Sequence, residues 1–264
     1  MDAVKRGASP LHLPRAKKTS SPAEEIPTGE AFRTEWIDFE NGIRVGNLEP
    51  HERITQILKY RLESRHGTPF ITDRWGRGVY WQWICWLPRA NRAAKPVSNK
   101  VNFGCAKLFI TTDGDIFKSG LQIERGYASG PQAAEPWGLR DDFDWHRLVK
   151  GCRAGSALER ELRRLVDKEG FVAAVVGEAA EGGLVSAAAS GVGPLRTAMR
   201  RCAPDRWAGF QLYYPMPAEE LRQCSGYELV DAIAGVFEQV IPAMNCCMDV
   251  PLAVGAVTNL PGRR

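Results

Sequence analysis

The segment GVYWQWICWLP (78–88) constrains this chain more than any other stretch of comparable length. In an extended chain it places Val79, Trp81, Trp83, Cys85 and Leu87 on one side and Tyr80, Ile84 and Trp86 on the other. Both sides are apolar, which predicts a central strand. The next apolar run, VNFGCAKLFITT (101–112), is followed by Asp113-Gly114 and then DIFKSGLQIER (115–125), a strand, tight turn and strand of mixed pattern. A hairpin beside a central strand is the expected nucleus of the fold.

Helices are predicted on either side of it. Ile54, Ile57, Leu58 and Leu62 recur at three- and four-residue steps and read as a helix that stops at Gly67. Ser156 with Glu159 reads as a capping box before Leu158, Leu162, Leu165 and Val166, predicting a helix over 157–169. Ser225 with Glu228 is a second box, opening the long apolar helix YELVDAIAGVFEQVI. WAGFQLYYP (207–215) reads as a strand, FVAAVVG as a short strand or a helical stub, and 177–194, rich in Gly, Ala and Ser, as a loosely packed loop. Strands in the middle with helices around them predict an α+β fold: a mainly antiparallel central sheet with flanking helices.

With 264 residues, 44% of them apolar, the chain has enough material for one core, expected over 31–250. Residues 1–30 carry the Pro, Ser, Lys and Glu bias of a flexible tail, and 251–264 is expected to be a short C-terminal tail. The first thirty residues lack a secretory apolar core, and no window nears the roughly 18 apolar residues of a membrane span. Seven scattered cysteines, mostly in apolar stretches, fit reduced thiols. The expectation is a cytoplasmic protein with no membrane partner.

Charge is nearly balanced overall, with 35 Lys+Arg against 31 Asp+Glu, yet its distribution is uneven. From Trp75 to Thr112 there is no Asp or Glu at all, while Arg77, Arg89, Arg92, Lys95, Lys100 and Lys107 are present. Trp75, Trp81 and Trp83 share the window and are candidate stacking platforms. Rings beside cations are the ingredients of a single-stranded nucleic-acid surface, where bases stack and phosphates meet Arg and Lys. Core-filling by the same tryptophans is the competing explanation, and a solvated turn competes for the bases. A second basic cluster, Arg196, Arg200, Arg201 and Arg206, is placed on a short helix after Pro194.

Around this loop the residues Arg89-Ala-Asn-Arg92, Lys95-Pro96, Lys100-Val101-Asn102 and Gly114 through Gly120, with FQLYYPMPAEEL at 210–221, are similar to a pattern known elsewhere. The chain resembles a family of uncharacterised bacterial proteins classed only as a domain of unknown function, over about residues 50–245. It has Ala93 and Ala94 where that family carries Phe-Ser-Lys-Asp, and 177–194 looks like an insertion. The resemblance implies an α+β fold and a role for the loop, Asn102 included, without implying an activity.

Other chemistry is thinly represented. Cys246 and Cys247 are adjacent, the four histidines are isolated, and no zinc-ligand spacing or phosphate-cradling glycine loop occurs, so no metal or cofactor is implied. Asp113, Asp115 and Glu124 could assemble as the acidic cluster of a metal-dependent nuclease or other hydrolase. The leading expectation is a non-catalytic protein that holds an anionic partner, nucleic acid above all, on its basic, Trp-rich surface. A component of a protein assembly is the remaining alternative.

Overall fold

A computed structural model describes residues 28–95, 104–125, 143–179, 181–189, 191–204 and 206–253. The fold is α+β. Among the described residues nine strands form one sheet in which every pairing is antiparallel.

In chain order the strands are β1 (Ile37–Asp38), β2 (Gly42–Arg44), β3 (Phe70–Arg77), β4 (Tyr80–Pro88), β5 (Ala106–Asp113), β6 (Ile116–Glu124), β7 (Val172–Glu178), β8 (Leu184–Ala188) and β9 (Ala208–Pro217). The helices are α1 (Ile54–His66), α2 (Arg89–Ala93), α3 (Asp144–Gly151), α4 (Ala157–Lys168), α5 (Val192–Arg201), α6 (Ala218–Gln223) and α7 (Gly226–Asn245). Strand β4 is central as expected. It pairs along one edge with β3 and along the other with β5 and, at Tyr80 and Trp81, with β2. Beyond β5 the order continues β6, β9, β7, β8.

One face of the sheet carries the core. Ile84 and Trp86 of β4, Leu108 and Ile110 of β5, Leu121 and Ile123 of β6, and Phe210 and Leu212 of β9 are buried in the same cluster as the apolar stripes of α1, α3, α4, α5 and α7. Trp86 lies against Phe237 of α7, ring centroids 5.7 Å apart, and its indole N–H donates to the Thr55 carbonyl at 3.1 Å. A buried ring with its one polar atom satisfied is fixed in place. A smaller buried group on the second face joins Cys85, Leu87, Cys105 and Phe109.

The punctuation follows local chemistry. Helix α1 ends at Gly67, which takes the left-handed conformation at φ +60°. The β5–β6 hairpin turns through Gly114 and Asp115, one residue later than the Asp-Gly pair suggests, with Gly114 at φ +56°. Ser225 and Glu228 form the complete capping box of α7. Ser156 does cap α4, but the Glu159 carboxylate accepts from the Gly155 N–H at 2.6 Å instead of closing the box.

Two expectations are corrected. The segment FVAAVVG is strand β7, and the Gly/Ala/Ser stretch read as a loose loop supplies its partner β8, after a turn in which Gly182 and Gly183 have positive φ. At the inner edges of the expected tails the chain is still packed. The Thr28 carbonyl accepts from Arg61 Nη2 at 3.2 Å, and Leu252, buried, exchanges two hydrogen bonds with the Asn245 side chain. The rest of the expected tails, residues 1–27 and 254–264, lies outside the described residues. Among the described residues no helix is long and apolar enough to cross a membrane.

The second correction concerns the tryptophans. Trp75 pairs with Trp83, yet the next residue of β3, Gly76, pairs with Trp81, so Gln82 is an extra residue in β4. Such a bulge reverses the alternation beyond it. Trp81 therefore turns to the helix-covered face, 8% exposed, while Trp83 faces the other way. A Cβ at position 76 would lie 2.5 Å from the Trp81 Cα, which is why glycine stands at the bulge.

Candidate ligand groove on the second face of the sheet

The second face presents alternate residues of β3, β4, β5, β6 and β9. A cavity of about 850 Å³ lies on it. Trp83, Thr111 and Lys118 stand in one cross-strand row, and Lys107, Gln122 and Gln211 in another. Trp75 and Asp73 border the groove from β3, and Trp207 borders it just before β9. Trp75 is 67% exposed and Trp207 42%, the two most open tryptophans among the described residues.

Its polar side chains are already bound to one another. Gln122 Oε1 accepts from Trp83 Nε1 at 3.1 Å and from Gln211 Nε2 at 2.9 Å. Glu124 accepts from Trp207 Nε1 at 3.1 Å and pairs with Lys107, whose ammonium lies 5.2 Å from the Trp83 ring. Lys118 pairs with Asp113 and lies 4.8 Å from the Tyr213 ring. Burial drives the Lys107 pKa down, but the Glu124 carboxylate and the neighbouring groups outweigh it and hold the value above that of an ordinary lysine. The groove is thus polar, aromatic and close to neutral: Arg74, Lys107 and Lys118 face Asp73, Asp113 and Glu124.

Of the basic candidates of the acid-free window, Lys107 lines the groove, while Arg77, Arg89, Arg92 and Lys95 do not. Lys95 is fully buried, its ammonium 2.9 Å from Asp144 Oδ1 and 3.2 Å from Asn91 Oδ1, and it also pairs with Asp249. Asn91 Nδ2 donates to Asp144 at 2.8 Å, the Ala106 N–H donates to the same carboxylate at 2.7 Å, and Arg147 pairs with Asp249. Burial raises the Asp144 pKa, and Lys95 opposes that rise. Arg92 turns its guanidinium to the Lys95 carbonyl. Acids from α3 and from the segment after α7 therefore neutralise Lys95, which is a staple of the fold. Arg89 is exposed and does not line the groove. Lys100 and Asn102 lie outside the described residues.

The second basic cluster belongs to a different helix. Helix α5 packs through Val192, Leu195, Ala198 and Met199 into the core on the helix-covered face, leaving Arg200 and Arg201 exposed and Arg196 half-buried. Of the stacking candidates, Trp75 and Trp83 line the groove. Trp81 does not, and the Arg74 guanidinium covers its ring at 3.3 Å.

The acidic triad is not assembled. Glu124 stands eight residues along β6 from Ile116, the partner of Asp113, a separation of roughly 26 Å at about 3.3 Å per residue. Among the described residues no group of three His, Cys, Asp or Glu side chains converges on a metal position. All seven cysteines are free thiols, five of them buried. Burial raises the Cys105 pKa to about 11 and that of Cys152 to about 12, far from a reactive thiolate.

Sequence reasoning missed Arg74, Thr111, Lys118, Gln122, Gln211 and Trp207. A signal was present. Lys118, Gly120, Gln122 and Glu124 alternate with Phe117, Ser119, Leu121 and Ile123, a strand that presents a polar side away from its core side. No protein-family model matches the chain, and no curated protein and no solved structure matches it either.

Proposed function

We propose that this is a non-catalytic cytoplasmic protein that binds single-stranded nucleic acid in the groove on the second face of its sheet. The observation that carries the reading is the exposure of Trp75 and Trp207 at two borders of one polar groove. Every base has a π-face, so an exposed ring is a platform worth about 1–3 kcal/mol per stacked base. Gln122 and Gln211, fixed by the Trp83 indole and by each other, offer amide groups of the kind that hydrogen-bond base edges. Arg74, which lines the groove from β3, supplies charge for phosphates. The neutral balance of the groove favours rings over backbone as the main source of affinity. Seven free thiols, five of them buried, support a reducing compartment.

The test is titration of a 12-nucleotide thymidine oligomer at 20 mM salt, followed by tryptophan fluorescence. Saturable quenching that weakens by 5- to 150-fold in Trp75→Ala is the expected result, following from the stacking range above. Absence of binding to DNA and RNA oligomers at that salt would remove the proposal.

A further inference from the structure

Trp75 borders two cavities. The second, of about 450 Å³, lies outside the groove and is lined by Glu40, Asn41, Arg77, Tyr80 and Gln82 as well as by Trp75 and Gly76. It lies where the β1–β2 hairpin, which pairs with β4 at Tyr80 and Trp81 and supplies Glu40 and Asn41, meets the bulged end of β3 and β4. Its walls are preset. Asp38 accepts from the backbone N–H groups of Glu40 and Asn41 at 2.8 and 3.0 Å and from Asn41 Nδ2 at 2.7 Å, so the Asn41 amide is held in one orientation. The Arg77 guanidinium is exposed and makes no hydrogen bond or ion pair with any described residue.

The geometry points to a second nucleotide subsite in this cavity: a single strand leaving the groove passes Trp75, lays its next base against Trp75 and Tyr80, and sets a phosphate on Arg77. The inference rests on the reading of the groove as a nucleic-acid site and adds to it a direction and a minimum length. A ring, a fixed amide and an unpaired guanidinium are the three contacts a nucleotide takes, by stacking, base edge and phosphate. One ring shared by two cavities makes the two a single track, so the ligand is an oligomer rather than a free nucleotide.

Thymidine oligomers of 2 to 12 nucleotides, titrated against the full chain at 20 mM salt, test this. Affinity should climb with length and then level off, and Arg77→Gln/Tyr80→Ala should lose about 5- to 20-fold for the longest oligomer while changing the shortest by less than twofold. Glu40→Lys, an exposed change that leaves the folded core untouched, should raise affinity for long oligomers two- to fivefold and leave short ones unchanged. If oligomers bind and quench but these variants match the parent at every length, the second subsite is wrong and the groove stands. If no oligomer of any length binds, both readings fall together.

Discussion

The two ends of strand β4 draw on the same acid-free window and end up with opposite characters. At the Pro88 end, Lys95 is enclosed by the nearby Asn91 and by Asp144 and Asp249, acids that arrive from far along the chain. At the Tyr80 end, Trp75 is exposed and Arg77 has no partner among the described residues. A run of cations in a sequence is therefore not a basic surface until the fold has decided which of them meet carboxylates. Where an acid reaches the loop, the cation becomes architecture, and where none does, it remains available to a ligand.

The largest effect should come from breaking the closed end. Lys95→Met leaves Asp144 buried without its counter-charge, a loss of about 3–5 kcal/mol in urea unfolding. Arg89→Ala, a few residues away but exposed, should stay within about 0.5 kcal/mol. Equal effects would mean that the staple contributes nothing particular. A similar contrast separates two tryptophans: Trp86→Ala should cost about 3–5 kcal/mol through the cavity it leaves, whereas Trp75→Ala should be nearly neutral for stability and act on ligand affinity alone.

Much of the architecture could be read from the chain itself, because it depends on local periodicity. The α1 stripe, its stop at Gly67, the β5–β6 hairpin and both serine caps depend only on neighbours within a few residues. The facing of Trp81 was not legible, since one bulged residue reverses a two-residue period and nothing in WQW announces it. Lys95 was misread for a different reason. Its partners, Asp144 and Asp249, lie 49 and 154 residues away, beyond any local rule. The groove fell between these cases. The polar side of β6 was visible, but its assembly with Trp207 and Trp75 needed the strand order.

A smaller effect concerns pH. Lys107 holds its proton more tightly folded than unfolded, so its pairing stabilises the protein fully below pH 10.5 and is lost as the pH rises through the higher folded value. Buried thiols add an alkaline loss of the same sign, because they ionise only on unfolding. The readout is therefore the difference between the parent and Lys107→Met in urea midpoint from pH 9 to 11.5. That difference should shrink on the alkaline side, and a constant difference would contradict the ion pair with Glu124. Smallest of all should be the salt response of binding. Two phosphate contacts give a slope of about −1.4, against roughly −6 if all nine candidate basic side chains took part. Arg200→Gln/Arg201→Gln should leave the slope unchanged.

The most direct measurement is ultraviolet crosslinking of a 4-thiothymidine oligomer to the full chain, with the modified peptides identified by mass spectrometry. The account predicts adducts on the peptides that carry Trp75 and Trp207, on the second face of the sheet. Adducts confined to α2 or to the Arg200–Arg201 end of α5 would show that charge, and not the exposed rings, selects the ligand.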